Sequence, residues 1–288
     1  MAYDVVVGIE FLYAIATLVL ISLGLAVIFG MMRIINLAHG EFLVLGSYAA
    51  TVATHRGVNL WIAILVIAPA TVALIGVLLE RFFIRFLYGR ILDTMLATWG
   101  LSLFVVGILT LIFGETTEGV GTPEGVVAIG PYTVSIYRFV VIGFAVLTVA
   151  IVYGVLRFTR LGLLARGTMQ NPAMAEALGV DTSRMYAVTF ALGAGLAGLA
   201  GGILAPVSVV FPTLGGSYLA RAFITVIGGG PAILAGTSAA SFLFGIVSQA
   251  VSFLTTQVYG EVALLVVAIA LIRVLPRGIT GRFFRGSL

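Results

Sequence analysis

The sequence predicts an all-α membrane protein, a polytopic bundle of about eight or nine transmembrane passes, some of them short or broken. Two observations predict this class. Of the 288 residues, 61% are hydrophobic and only 9% are charged, whereas a soluble domain carries roughly 25% charged residues. The few charges are also clustered, which leaves long apolar stretches between them. This composition excludes a water-soluble globular protein, and it excludes a disordered chain, which would be poor in apolar residues.

Stretches without charged residues mark the passes, because a membrane-crossing helix needs about 20 mostly apolar residues. Five stretches, the last with its flanking residues, are read as single passes: Phe11–Met32, Gly57–Leu79, Thr94–Gly114, Phe139–Leu156 and Val262–Ile272. A shorter segment, Phe42–Thr54, can cross only partly or obliquely. Met185–Ala220 and Ala222–Gly260 are each longer than one pass. The second of them is expected to break at Gly228-Gly229-Gly230-Pro231, which stops and restarts a helix.

The arginines predict the orientation, because cytoplasmic loops hold an excess of basic residues. Three clusters are placed on the cytoplasmic side: Arg81, Arg85 and Arg90; Arg157, Arg160 and Arg166; and Arg273, Arg277, Arg282 and Arg285. The Gly114–Pro131 loop contains Glu115, Glu118 and Glu124 but no arginine, so it is placed outside. No basic residue precedes Arg33. The N-terminus is therefore expected outside and the C-terminus in the cytoplasm.

Missing residue types exclude several chemistries. All 15 basic residues are arginine, and a P-loop needs a lysine to hold nucleotide phosphates, so any ATP-driven step belongs to a partner. Without cysteine there is no disulfide and no thiolate metal site. No metal site is expected, because His39 and His55 are the only histidines and lack His-Glu-x-x-His spacing. Nucleic acid is not expected as a partner, because the arginines lie at membrane edges rather than on one basic face.

A polar segment follows the first pass and contains Asn36, His39, Gly40 and Glu41. Polar groups at membrane depth are costly and tend to face the protein interior or a transport pathway. The segment fits a short or broken helix beside a translocation path. It fits equally well a set of side chains that cap helix ends and satisfy one another. The residues alone leave both interpretations open.

Small residues recur every fourth position at Ala194, Gly198 and Gly202, which predicts close packing of two helices and allows a path lined by them. On the cytoplasmic side, Asn171-Pro172 is expected to start a short helix that Gly179 ends. This helix either protrudes toward a cytoplasmic partner, with Glu176 and Leu178 near its tip, or lies on the lipid headgroups.

Four stretches resemble one protein family: Ile35–Phe42, Leu96–Leu103, Gln170–Gly179 and Arg273–Gly278. They resemble the permease subunits of ATP-binding-cassette (ABC) importers for branched-chain amino acids and, within that group, for urea and short amides. The resemblance reaches from the first pass to the last. It implies a single permease domain over residues 1–288 in a bacterial-type inner membrane, with a cytoplasmic coupling loop at about 158–184.

The resemblance also implies partners and site residues. The partners are a second homologous permease, two cytoplasmic ATPases that bind ATP and Mg, an external solute-binding protein and membrane lipid; this chain itself holds no cofactor. The expected ATPase-coupling residues are Arg166, Asn171, Pro172, Ala175, Glu176, Leu178, Gly179 and Asp181. The residues expected on the translocation path or supporting it are Asn36, His39, Gly40, Glu41, Gly198, Gly202, Gly228 and Gly229.

The substrate and two other function classes stay open at this stage. The Leu87–Arg90 stretch and Trp99 resemble the urea and amide members, whereas Gly230-Pro231 departs from the usual family pattern. Branched-chain amino acids and urea or short amides therefore rank level. A stand-alone channel or ion-coupled carrier is the alternative, with Glu41 its one candidate carboxylate. An intramembrane hydrolase is disfavoured, because His39 and Glu41 do not share a helix face.

Overall fold

The computed structural model of the protein describes residues 2–115, 119–123 and 125–281. Within these ranges nearly every apolar stretch is helical. The α-helices are α1 (Ala2–Met32), α2 (His39–His55), α3 (Leu60–Ile62), α4 (Ala68–Phe82), α5 (Ile91–Phe113), α6 (Ile136–Phe158), α7 (Arg160–Gln170), α8 (Pro172–Ala177), α9 (Thr182–Leu204), α10 (Leu214–Gly229), α11 (Ile233–Leu254) and α12 (Gln257–Val274). The predicted all-α membrane fold is confirmed.

Seven helical segments of the described chain are long and apolar enough to cross a membrane: Ala2–Met32, Leu60–Phe82, Ile91–Phe113, Ile136–Phe158, Thr182–Val207, Ile233–Leu254 and Gln257–Gly281. Two further helices, α2 and α10, have 17 and 16 residues, shorter than the length of about 20 residues that a full crossing needs. Helix α2 corresponds to the predicted short segment Phe42–Thr54, whereas α10 extends across Arg221, where the prediction divided two passes. Leu60–Phe82 contains one π-helical turn, Ala63–Ile67, next to Pro69, which lacks a backbone donor for an ordinary helix.

The sequence predicts a boundary between two passes at Arg221, because it divides the chain at charged residues. The structure has no helix boundary there. Arg221 lies inside α10 and forms an ion pair with Glu261 of α12. Helix α1 likewise begins well before Phe11, and its Glu10 pairs with Arg138 of α6. Ion pairing lowers the cost of placing these charges within helices of a membrane protein, so a charged residue is not a reliable boundary here.

A β-hairpin follows α5 and was not predicted. Strand β1 (Val126–Ile129) pairs antiparallel with β2 (Tyr132–Ser135) across a turn at Gly130, whose φ is +64°. Such a φ favours glycine. The glutamates Glu118 and Glu124 of this loop, and Arg282 and Arg285 of the last arginine cluster, lie outside the described residues.

The chain forms two compact units. The first unit comprises α1 up to Ser22, the hairpin with α6 up to Val149, and the chain from Arg221 onward. Its fully buried aromatic residues are Tyr137 and Phe244.

The second unit comprises α1 from Leu23, helices α2 to α5, α6 from Ala150, helices α7 to α9, and α10 up to Ala220. Helix α9 packs against both α2 and α4 in this unit. The rings of Phe42 and Phe190 meet edge to face across the α2–α9 contact, with centroids 6.0 Å apart.

Candidate functional site

The polar segment after α1 forms a tight connection into α2. Arg33 has a φ of +53°, a left-handed conformation that interrupts the helix. The Asn36 side chain then accepts a hydrogen bond of 3.0 Å from the backbone N–H of Ala38. Helix α2 begins at the next residue, His39. The predicted short helix is therefore present, and Asn36 shapes its start.

Glu41 lies in the first turn of α2, and it is only 3% exposed. The Ser102 hydroxyl on α5 donates a 2.6 Å hydrogen bond to Glu41 Oε1. Within the polar segment, the Leu37 N–H donates to the hydroxyl of Thr98, also on α5, at 3.0 Å. The free N–H groups of a helix start favour a negative charge nearby. Ser102 of α5 thus holds one oxygen of the Glu41 carboxyl group, while the other, Oε2, is buried without a hydrogen-bond partner among the residues that the structure describes.

The backbone is packed tightly around this carboxylate. A Cβ at Gly40 would collide with the carbonyl of Gly215 at the start of α10, and a Cβ at Gly215 would collide with the Glu41 carboxylate. Asn36 and His39 are fully buried. These contacts favour the interpretation that the polar residues hold helix ends together. The roles predicted for these residues on the translocation path stay predictions.

Removing the Ser102 hydroxyl is expected to destabilise the second unit. In Ser102→Ala, Glu41 Oε1 loses its donor while remaining buried, which costs about 1–3 kcal/mol of folding free energy. Thermal unfolding of the purified protein in detergent measures the loss. Thr110→Ala is the matched control on the same helix, because the Thr110 hydroxyl is exposed and bonds only its own helix, at Val106. Equal unfolding temperatures for both variants would contradict the assignment.

The small-residue stripe of α9 lies at helix crossings, as the packing interpretation predicts. A Cβ at Gly198 would come within 2.7 Å of Val72 Cβ on α4, and a Cβ at Gly202 within 3.0 Å of Ala68 Cβ. On another face of α9, a Cβ at Gly201 would collide with the backbone carbonyl of Leu43 on α2. Glycine thus allows α9 to contact α2 and α4 backbone to backbone.

Gly228 and Gly229 are the last two residues of α10, directly before the predicted helix break. A Cβ at Gly228 would lie 2.9 Å from the ring of Phe244 on α11. The Thr280 hydroxyl donates a 2.6 Å hydrogen bond to the Gly229 carbonyl. Gly230 follows with a φ of +85° and packs against Gly278. The break is therefore a packed junction with the end of the described chain, within the first unit.

The segment that is predicted to be cytoplasmic contains two helices, of which only the second was predicted. Thr159 caps α7 by accepting a hydrogen bond of 3.1 Å from the Gly162 N–H. Asn171 caps α8 through the Met174 N–H at 3.0 Å. Gly179, with a φ of +84°, follows the last turn of α8. Asp181 caps α9 through the Arg184 N–H at 2.9 Å. The short helix starting at Asn171-Pro172 and ending before Gly179 is thus confirmed.

Helix α8 presents an apolar face to its surroundings. Leu178 is 78% exposed and Met174 57% exposed. Ala175 is buried beneath them, and half-buried Arg166 donates through Nε to the Gly162 carbonyl of its own helix at 3.1 Å. Of the predicted coupling residues, Leu178 and Glu176 are exposed, Ala175 is buried, and Arg166 bonds to the backbone of its own helix.

Side-chain contacts join α8 to α4. The Thr182 hydroxyl donates a 2.5 Å hydrogen bond to Glu176 Oε1. One turn along α9, the ring of Tyr186 lies 4.8 Å from that of Tyr88, whose hydroxyl donates to Glu80 of α4. Burial, and then the bond to Glu80, raise the pKa of Tyr88, so its hydroxyl stays protonated and keeps donating. A displacement of α8 has a continuous route to α4.

A cavity in the first unit was missed by the sequence reasoning. It has a volume of about 620 Å³. Its lining includes Glu10 and Glu261, the acidic members of the two ion pairs described above, and Arg221. Arg221 stands alone between two long apolar stretches, and an isolated ionisable residue in such a position is a default functional candidate. The sequence therefore contains a signal for this site, at a position where the prediction divides two passes.

Comparisons with known proteins agree with one another. The sequence model of a family described as "Branched-chain amino acid transport system / permease component" matches residues 8–275. The probable branched-chain amino acid transport permease protein LivH of Methanocaldococcus jannaschii is 28% identical over 279 residues, which cover 92% of this chain and 88% of the relative. The high-affinity branched-chain amino acid transport system permease protein LivH of Escherichia coli K12 is 27% identical over 287 residues, covering 93% and 92%. The corresponding protein BraD of Pseudomonas aeruginosa is 26% identical over 293 residues, also covering 93% and 92%. No solved structure matches the chain.

Proposed function

Because the chain belongs to the family of branched-chain amino acid transport permease components, we propose that it forms the solute pathway of an ATP-driven importer for branched-chain amino acids. The family match over residues 8–275 carries this proposal. The relatives named above transport branched-chain amino acids according to their names, which favours these solutes over urea and short amides. The chain is a membrane transporter subunit rather than an enzyme.

Helix α8 is proposed as the element that receives the force of ATP hydrolysis. Met174 of α8 and Leu178 directly after it are exposed apolar residues. They suit a groove on a cytoplasmic ATPase, since a helix can bind a partner through its apolar face. The contacts from Glu176 through Thr182 and from Tyr186 to Tyr88 would carry motion of α8 into the membrane helices. Rigid-body displacement of packed helices would then switch access from one side to the other.

The remaining parts of the transporter follow from this assignment. Two cytoplasmic ATPases would bind ATP and Mg, and this chain would pair with a second, homologous permease. An external binding protein would deliver the solute. The N-terminus and the β-hairpin would lie outside, and α7, α8 and the C-terminus would lie in the cytoplasm, where the arginine clusters belong.

Transport measurements in proteoliposomes test the proposal. The chain is reconstituted with the second permease and ATPases of its own genome neighbourhood, and uptake of radiolabelled leucine is followed with the binding protein outside. Uptake is expected only when ATP is enclosed and the ATPases are present. Competition by valine and isoleucine, but not by urea or acetamide, is expected. Leucine uptake by the lone chain would favour the stand-alone channel or carrier, and competition by urea would reassign the solute.

A further inference from the structure

We propose that the cavity of the first unit is a binding site for the transported solute, and that it recognises a zwitterion through Arg221 and Glu261. This inference rests on the proposed function, because it names the place where an amino acid would bind in this subunit. No residue of the cavity was among the predicted path residues. Its charges, its lining and its position in the chain carry the argument.

The cavity has the size and lining of a small-molecule site. Its volume is about 620 Å³, within the range of about 300–1,000 Å³ that is usual for ligand pockets. Three elements provide most of the lining: the first five turns of α1, the last turns of α11 and the start of α12. Hydroxyl and amide side chains contribute polar groups: Tyr3, Tyr13, Thr17, Tyr132, Ser248, Gln249, Ser252 and Gln257.

The charges around the cavity balance. Arg221 pairs with Glu261, and Glu10 pairs with Arg138 of α6. Arg138 does not itself line the cavity, but its ion pair neutralises Glu10. The pair of Arg221 and Glu261 is then left to face the solute, which suits a solute that carries both signs. Because a guanidinium has five N–H donors and the pair with Glu261 uses the Nη2 atom, Arg221 has donors left for a carboxylate. The other Glu261 oxygen can accept from an ammonium group.

Part of the lining is apolar and suits an aliphatic side chain. Val7, Ala14 and Leu18 of α1 and Leu264 of α12 line the cavity. They would bury the side chain of leucine, isoleucine or valine at about 25 cal/mol per Å² of apolar surface removed from water. Urea and short amides have no carboxylate, ammonium group or long aliphatic side chain, so they would leave the charged pair and these apolar residues without contacts. A site whose polar groups are left unpaired rejects such a molecule strongly.

The cavity lies at the side where solute would arrive. It is formed by the N-terminal half of α1 and by the ends of α11 and α12 that meet at Thr255–Thr256. The arginine distribution puts these ends on the external side of the membrane. A solute released by an external binding protein would reach Arg221 before it crossed the membrane.

Cysteine labelling tests the site on the full-length chain. The protein has no cysteine, so Ser248→Cys places a single thiol in the cavity. In right-side-out membrane vesicles, a membrane-impermeant maleimide is expected to label it, and saturating leucine is expected to slow labelling at least about fivefold by occupying the site. Thr255→Cys is the matched control: it lies at the end of the same helix but lines a different groove, with Val251 and Tyr259. Leucine is expected to leave its labelling rate unchanged.

Variants and leucine analogues test the recognition. When Arg221→Gln is combined with Ser248→Cys, leucine should no longer protect the cysteine from labelling. Arg221→Lys keeps the ion pair and the fold but loses the two-pronged contact with a carboxylate, so protection should require at least about tenfold more leucine, equivalent to 1.4 kcal/mol. Urea, leucinol without the carboxylate and 4-methylpentanoate without the ammonium group should not protect.

Three results would overturn the inference: no protection of Ser248→Cys by leucine, isoleucine or valine; protection unchanged by both Arg221 variants; or equal protection by urea. The proposed function is judged separately, by ATP-driven uptake in proteoliposomes. Intact uptake without protection rejects the cavity site alone. Protection that depends on Arg221, without ATP-driven uptake, rejects the ATPase-driven function and leaves the site standing.

Discussion

Replacing Gly179 with tryptophan is expected to abolish solute-stimulated ATP hydrolysis in the assembled transporter while the membrane helices stay folded. Gly179 follows α8 with a φ of +84°, and any other residue in this left-handed conformation costs about 1–2 kcal/mol. No atom lies within 4 Å of a Cβ built there, so the indole would project outward from the surface proposed to bind the ATPase. Both effects act on α8 and its docking rather than on the core.

Gly57→Trp is the matched control for this prediction. Gly57 also has a positive φ, +86°, and open space around a Cβ, but it connects α2 and α3 at the side predicted to be external. Gly57→Trp carries the same free-energy cost of a left-handed backbone conformation. Solute should still stimulate ATP hydrolysis in this variant.

Glu176→Arg extends the test by reversing the charge on α8. Thr182→Val is its control, because it removes the hydrogen bond to Glu176 without changing that charge. ATPase activity with and without solute, measured beside thermal unfolding, separates docking from folding. Undiminished stimulation in both Gly179→Trp and Glu176→Arg would remove α8 from the coupling mechanism.

Gly201→Val is expected to prevent folding of the second unit. A Cβ at this position would collide with the backbone carbonyl of Leu43, and a backbone atom cannot swing aside as a flexible side chain can. The α2–α9 contact would have to separate, so we expect a loss of at least about 4 kcal/mol, a size that marks severe core disruption. Expression level, monodispersity in detergent and unfolding temperature measure this loss.

Two other glycines calibrate the effect of Gly201→Val. Gly107 lies on α5 with nothing within 4 Å of a Cβ, so Gly107→Ala should be neutral or stabilising by up to about 1 kcal/mol, since alanine favours helix more than glycine does. A Cβ at Gly195 would lie 3.3 Å from Ala73. The loss of stability in Gly195→Ala should therefore lie between the effects of Gly107→Ala and Gly201→Val. A folded Gly201→Val protein with an ordinary unfolding temperature would show that α2 and α9 are not held at this distance.

The sequence predicts helix positions well where a long apolar stretch ends at charged residues. Leu60–Phe82, Ile91–Phe113 and Ile136–Phe158 lie within three residues of the predicted passes at each end, because a charged end and a membrane-length apolar run leave the chain little choice. The break after Gly229 was predicted for a similarly local reason: glycine and proline act on the backbone itself.

Features that depend on distant partners could not be predicted in the same way. Arg221 is tolerated inside a helix because of Glu261, 40 positions along the chain, and nothing near Arg221 signals that partner. The β-hairpin depends on strand pairing across Gly130 in a segment that is short and lacks a long alternating pattern. The polar segment at Asn36–Glu41 was found from its composition, but its enclosure by Ser102, Thr98 and Gly215 is a property of the packed helices.

The ion pair between Arg221 and Glu261 also bears on how the protein is made. Helix α10 is short, and an arginine at its middle opposes entry into the bilayer from the translocon by about 2.5–3.5 kcal/mol. Its counter-charge arrives only with α12, so we expect stable insertion of α10 only after the last helix has been synthesised. The C-terminal part of the chain would then complete the insertion of a helix made before it.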